Sequence, residues 1–150
     1  MSVLNLLLVL LLQVPVVPPQ RVVVGLTDGR QISVDNPEFS GFIQSRSGGT
    51  VLIYRQQNLH GLMLLSNISR IDFGEYKEGK PFAMMITLRD GQKIEVVSER
   101  ENFITLSGRS ELGPVLIKHP DPVSAPLKVS TKAPDRKKDL TIQFLEFPAS

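Results

Sequence analysis

The sequence predicts an all-β protein of two similar small antiparallel units, barrel-like or sandwich-like, that follow an apolar N-terminal segment. Three observations predict it. Asp-Gly stands between strand-like runs at Asp28-Gly29 and again at Asp90-Gly91, and this dipeptide favours a hairpin with a type I′ turn. Eleven Gly and eleven Pro divide the chain into short runs, in which Val, Ile, Thr and Phe recur. Finally, the two halves align with each other.

The N-terminal segment, residues 1–20, carries no charged side chain. Its unbroken apolar core is Leu6, Leu7, Leu8, Val9, Leu10, Leu11 and Leu12. A membrane-spanning helix needs roughly 20 apolar residues, so this length favours a signal peptide or a shallow membrane anchor, with the seven core residues in contact with lipid.

Two features disagree with a standard signal peptide, because no Lys or Arg precedes the core and no Ala-x-Ala-like cleavage site follows it. Two other interpretations therefore stay open. The segment could contact lipid or a partner inside a membrane complex, or it could be a buried element of a soluble domain.

The first β unit is predicted at residues 21–79. Its expected strands are 21–26, 31–34, 39–44, 50–55, 62–65 and 68–73. Turn residues predict loops at 35–38, 45–49 and 56–61. The polar, turn-rich stretch 74–81 is the expected boundary between the units.

The second β unit is predicted at residues 80–150. Its expected strands are 82–88, 93–97, 103–106, 115–118 and 140–147, with an edge strand at 125–131. Pro120 and Pro122 frame a segment, 119–122, that we expect to be irregular. A charged loop is expected at 132–139.

The alignment of the halves predicts an internal duplication. The matched segments are 28–29 with 90–91, 42–43 with 103–104, 49–53 with 113–117, and 71–73 with 145–147. The separation grows along the chain, as loop insertion in the second copy would produce. The alternative is that short β-meanders resemble one another by chance. A duplication would give two small sheets, packed as a sandwich or as two five-stranded barrels.

The repeated plan is a hairpin closed by a turn, a Phe, a Gly-led apolar strand and a closing strand. It resembles the small SH3-like and Sm-like barrels over most of each half. The resemblance implies architecture only, because the RNA-contacting residues of Sm-type proteins do not map onto this sequence. It also supplies an alternative function, a cytoplasmic nucleic-acid-binding small barrel.

Catalysis and metal binding are not predicted. The chain has no Cys, which removes thiolate ligands, disulfides and cysteine nucleophiles. We expect His60 and His119 to be solvated loop residues, too isolated for a metal site. Ser66, His60 and Asp72 fall in turn-like segments without a Gly-x-Ser-x-Gly motif. We therefore expect a non-enzymatic protein with no cofactor.

One basic cluster could contact an anionic group. Its members are Lys128, Lys132, Arg136, Lys137 and Lys138. Near an anionic membrane such residues contribute roughly 1 kcal/mol each to binding. The favoured interpretation is nevertheless a solvated loop that discourages strand pairing. A net charge of +2, no Trp and only two Tyr argue against nucleic-acid binding.

These observations together lead us to expect a cell-envelope protein, periplasmic or extracellular, that is secreted or membrane-associated. It would act as an interaction module or accessory subunit of a membrane complex and bind protein partners. The expected contact surface consists of strand edges and the loops 56–61 and 119–138.

Overall fold

The computed structural model describes residues 19–75, 80–98, 103–119 and 141–149. These residues form eleven strands: β1 (Arg21–Leu26), β2 (Gln31–Gly41), β3 (Ile43–Arg46), β4 (Gly49–Gln56), β5 (Leu59–Leu64), β6 (Ile68–Phe73), β7 (Ala83–Leu88), β8 (Lys93–Ser98), β9 (Ile104–Ser110), β10 (Gly113–His119) and β11 (Ile142–Glu146). A single turn of 3-10 helix, Leu65–Asn67, joins β5 to β6. The predicted all-β class is confirmed.

All the described strands belong to one antiparallel sheet. Its order is β10-β9-β2-β1-β11-β6-β7-β8-β4-β3, with β5 on the outer side of β4. The predicted units 21–79 and 80–150 therefore share a sheet instead of forming two. The reason is that each opening hairpin leaves an unpaired edge, and the closing strand of the other half covers it: β11 pairs with β1, and β6 pairs with β7.

The sheet curls because β2 continues into β3 through a single residue, Phe42. The Phe42 N–H donates to the Phe103 carbonyl at 3.1 Å, and the Phe42 carbonyl accepts the Ile53 N–H at 2.7 Å. Gly41 makes the bend possible, because its φ is +102° and a side chain there would collide with the Phe103 carbonyl. Phe42 therefore connects the β9–β2 side of the strand path to β4, next to the other end, which confirms the barrel-like form.

Strand β2 corrects the predicted loop at 35–38. The strand runs through this segment to Gly41, with a shift of register between Asp35 and Glu38 in its pairing with β9. Pro37 lies inside that irregularity, where the ladder does not require its missing N–H. Asn36 absorbs the local distortion with a φ of +50°.

The two Asp-Gly hairpins are present, but their turns are not type I′. Positive φ falls on Gly29 and Gly91, at +91° and +89°, and not on Asp28 or Asp90. In the first hairpin the Gly29 N–H donates to the Leu26 carbonyl at 3.0 Å, and the second hairpin contains the equivalent hydrogen bond. Each is a three-residue loop, a type I turn followed by a left-handed glycine.

Strand pairing repeats between the halves. In the hairpin β1–β2, Val24 lies opposite Ile32. In β7–β8, Ile86 lies opposite Ile94, 62 positions further along the chain. Every cross-strand pair of the first hairpin has its counterpart in the second at the same separation.

The repeat extends to the closing strands. Val24 pairs with Leu145 and Ile86 pairs with Ile71, which are equivalent pairs in the alignment of the halves. Both ladders shift register at the equivalent place, next to Gly25 in the first. The described halves are thus related by a pseudo-twofold axis between β6 and β11. Duplication as an event of ancestry stays a prediction.

One apolar core fills the curled sheet, and both halves contribute to it. Ile71, Ile86 and Leu145 are fully buried at its centre. The Phe42 ring packs against those of Phe73 and Phe82, with centroids 6.1 and 6.2 Å apart. A shared core explains why the halves do not form separate barrels, since neither half alone encloses these rings.

Candidate functional site

In the β4–β5 hairpin, two highly exposed apolar side chains lie on the same strand. Leu59 is 71% exposed and Leu62 55% exposed, whereas most large apolar residues of the sheet are buried. The turn is only Gln57 and Asn58, so the predicted loop at 56–61 is wrong beyond these two residues and β5 begins at Leu59. Gln57 closes the turn with a φ of +54°.

Strand β5 lies at an edge of the described sheet, where it pairs with β4 alone. Ile53 of β4 directs its N–H to Phe42, away from β5. Leu62 is the cross-strand partner of Ile53, so this is a non-hydrogen-bonded pair of the antiparallel ladder. The backbone N–H and carbonyl of Leu62 therefore point to the outer edge.

The two strands of the hairpin make a close contact at Gly61 and Tyr54. Gly61 lies opposite Tyr54, and a Cβ at Gly61 would come within 2.5 Å of the Tyr54 ring. The ring therefore covers the glycine backbone. The edge strand is extended, which is the form that pairs with another strand.

On the outer face of the central strands, the side chains contact one another. The Arg70 guanidinium carbon lies 3.8 Å from the centre of the Phe144 ring. The same guanidinium pairs with Asp72 at 2.9 Å and with Glu146 at 3.8 Å. Because charge and ring partners are satisfied within the face, the edge of β5 is the better candidate for an external contact.

An open groove of about 500 Å³ lies between the end of β4 and β8. Its charged side chains, Arg55, Lys93 and Glu95, are exposed. Among the described residues, no three His, Cys, Asp or Glu side chains come together as a metal site would require. The groove contains no buried acid–base pair of the kind that catalysis uses.

His119 corrects the expectation of a solvated loop histidine. It is the last residue of β10 and is 2% exposed. Its ring lies between Phe73 and Phe82, at centroid distances of 4.9 and 4.6 Å. Burial lowers the pKa of His119 to about 4. Pairing with Ile104 extends the strand to this residue, despite the proline that follows.

Both ring nitrogens of His119 are buried, and within the described part of the chain neither has a hydrogen-bond partner. Alternation along β10 could have revealed this position, because Val115, Ile117 and His119 share one face of the strand. The apolar neighbours of the histidine are remote in sequence and could not be read from it.

The remaining predicted site residues fall in two groups. The basic cluster, Lys128 to Lys138, and the membrane-contact residues, Leu6 to Leu12, lie outside the described residues. Of the residues considered for catalysis, Asp72 pairs with Arg70, Ser66 is exposed in the 3-10 turn, and His60 is exposed on β5.

No helix within the described ranges is long and apolar enough to cross a bilayer. No protein-family model matches the chain, and neither a curated protein nor a solved structure shows significant similarity to it. The candidate site therefore rests on the geometry of β5.

Proposed function

We propose that the protein is a non-enzymatic binding module of the cell envelope, an accessory subunit of a membrane-associated complex. It holds a protein partner at the outer edge of β5. The observation that carries the proposal is the position of Leu62. This residue is 55% exposed, and its backbone groups point away from β4.

An extended segment of the partner adds to β5 as a further strand. Main-chain hydrogen bonds supply affinity in this mode, and alternate side chains supply specificity. Leu59 and Leu62 contribute apolar contacts on either side of the new strand. Residues 1–20 deliver the module to the membrane, and their length and lack of charge support this role.

Substitution of one exposed leucine tests the binding edge. Leu62→Asp places a charge on the edge, and Leu112→Asp is the matched control because Leu112 is 70% exposed in the β9–β10 turn. Tagged full-length chains are isolated from membranes after mild solubilisation. We expect Leu62→Asp to lower recovery of the partner at least tenfold, and Leu112→Asp to leave it unchanged. Equal recovery with both variants contradicts the proposed edge.

Fractionation tests the location. We expect the full chain in the membrane or periplasmic fraction, and Leu8→Asp, which breaks the apolar core of the N-terminal segment, to move it to the cytosol. A freely soluble cytosolic protein without partners would end the proposal. Nucleic-acid binding that weakens steeply with salt would instead favour the small-barrel alternative.

A further inference from the structure

The end of β10 packs into the core through Ile117, which is fully buried, and through an aromatic sandwich formed by His119 with Phe73 and Phe82. β10 is the terminal strand of the sheet path, and within the described residues it pairs with β9 alone. Its last residue, His119, inserts between the rings of Phe73 and Phe82. The contact therefore joins the outermost strand to β6 and to the start of β7.

The site favours a neutral imidazole over a protonated one. A protonated ring would be a buried charge, and in the described part of the chain neither nitrogen has a partner to stabilise it. Among the described residues, desolvation by burial is what lowers the pKa of His119.

Charged residues on the neighbouring elements do not compensate for this desolvation. They are Arg70 and Asp72 on β6, Glu75 after it, Lys80 before Phe82, Arg109 on β9 and Lys118 on β10. Asp72 pairs with Arg70, and Glu75, Lys80, Arg109 and Lys118 are exposed.

We propose that His119 is an acid-sensitive latch: protonation releases the end of β10 from the Phe73–Phe82 pair and exposes both rings. The rest of the sheet stays paired. The opening is local because Phe82 is held independently: its N–H donates to the Ser98 hydroxyl at 3.0 Å, and its carbonyl accepts the Ser98 N–H at 2.9 Å. This inference does not depend on the binding role of β5.

The direction of the effect follows from proton linkage. A released His119 has the ordinary pKa of 6.5, whereas the docked residue has a pKa of about 4. Docking is therefore fully favoured above pH 6.5 and weakens as the pH falls through this window. Between the two values the ratio of docked to released strand falls by about 80-fold, and over the whole titration it falls by about 300-fold.

Hydrogen exchange measured by NMR on the full chain tests the latch. Protection of the β10 amides, corrected for the intrinsic exchange rate, is followed from pH 7 to pH 4 beside the amides of Ile71 and Ile86. The imidazole signal of His119 is titrated in the same samples. We expect β10 to lose protection in step with protonation of His119, while Ile71 and Ile86 keep theirs.

Two variants distinguish the release of β10 by protonation of His119 from a general loss of stability in acid. His119→Phe keeps an aromatic ring in the sandwich and removes the titrating group, so β10 should stay protected at pH 4. His60→Asn removes the other histidine and should behave as the wild type. Equal loss in His119→Phe, simultaneous loss across all strands, or protonation of His119 without loss in β10 would each overturn the proposal. The wild-type titration decides alone if His119→Phe does not fold.

Discussion

Ile71 of β6 and Leu145 of β11 lie directly opposite each other, and they are also equivalent residues of the two halves of the chain. A residue that pairs with its own counterpart marks a twofold relationship. The neighbouring pairs agree with it, because Arg70 lies opposite Glu146 and Asp72 lies opposite Phe144. The two halves therefore meet along this ladder and share the core behind it.

Truncation of the central pair should destabilise the whole sheet. Ile71→Ala and Leu145→Ala each remove a fully buried side chain, and we expect each to lower the free energy of unfolding by about 2–5 kcal/mol. Met85→Ala, on the outer face of β7 at 37% exposure, should cost less than about 1 kcal/mol. Urea denaturation measures all three. Similar losses for Met85→Ala and the buried pair would contradict the central position of the ladder.

Gly41 is predicted to be the least replaceable glycine among those that shape turns. Gly41→Ala combines positive φ with a collision against the Phe103 carbonyl, so we expect a loss of at least about 2 kcal/mol. Gly91→Ala has open space but a φ of +89°, and should lose about 1 kcal/mol. Gly48→Ala has neither problem and should be nearly neutral. Thermal unfolding of the three variants gives the ranking, and a neutral Gly41→Ala would argue against the bend that curls the sheet.

Ser98 should be required for the anchoring of Phe82. Ser98→Ala removes the hydroxyl that accepts the Phe82 N–H, and we expect the loss of this buried hydrogen bond to cost about 1–3 kcal/mol. Ser45→Ala is the control, because Ser45 is exposed on β3. Chemical denaturation at pH 7 compares the two. Equal stability of Ser98→Ala and the wild type would show that this contact does not hold the ring.

Replacement of His119 should change how stability depends on pH. Because the folded pKa is depressed to about 4, the wild type loses stability as the pH falls from 6.5 towards 4. His119→Phe avoids this loss, so its advantage over the wild type should grow with acidity, to at most about 3 kcal/mol. Denaturation curves at pH 7, 5.5 and 4 measure the difference. A constant difference at the three values would contradict the buried, neutral histidine.

The sequence predicted the local elements well where turn chemistry dominates. The carboxylate of Asp28 accepts the Arg30 N–H at 3.0 Å, and Asp90 makes the same contact with Gln92 at 2.9 Å. Both hairpins were therefore visible from the sequence. The turn type could not be predicted. In each hairpin only the glycine takes the left-handed conformation, and the loop is one residue longer than the two-residue loop of a type I′ turn.

Pairing between distant strands could not be predicted in the same way. The contact of β1 with β11 joins residues more than a hundred positions apart, and alternation along a strand does not specify its neighbour. The burial of His119 depends on such contacts, because Phe73 and Phe82 reach it from other strands. The exposure of Leu62 also depends on the order of strands in the sheet. In the sequence, Leu62 is as apolar as the residues of the core, so its exposure could not be predicted.

Site-specific photocrosslinking in intact cells tests the proposed binding edge most directly. A photoreactive amino acid is placed at Leu62 in the full chain, and at Leu112 in a control chain of comparable exposure. We predict a discrete adduct with one membrane-associated protein from position 62 and none from position 112. No adduct at position 62, or the same adducts from both positions, would contradict a binding role for β5.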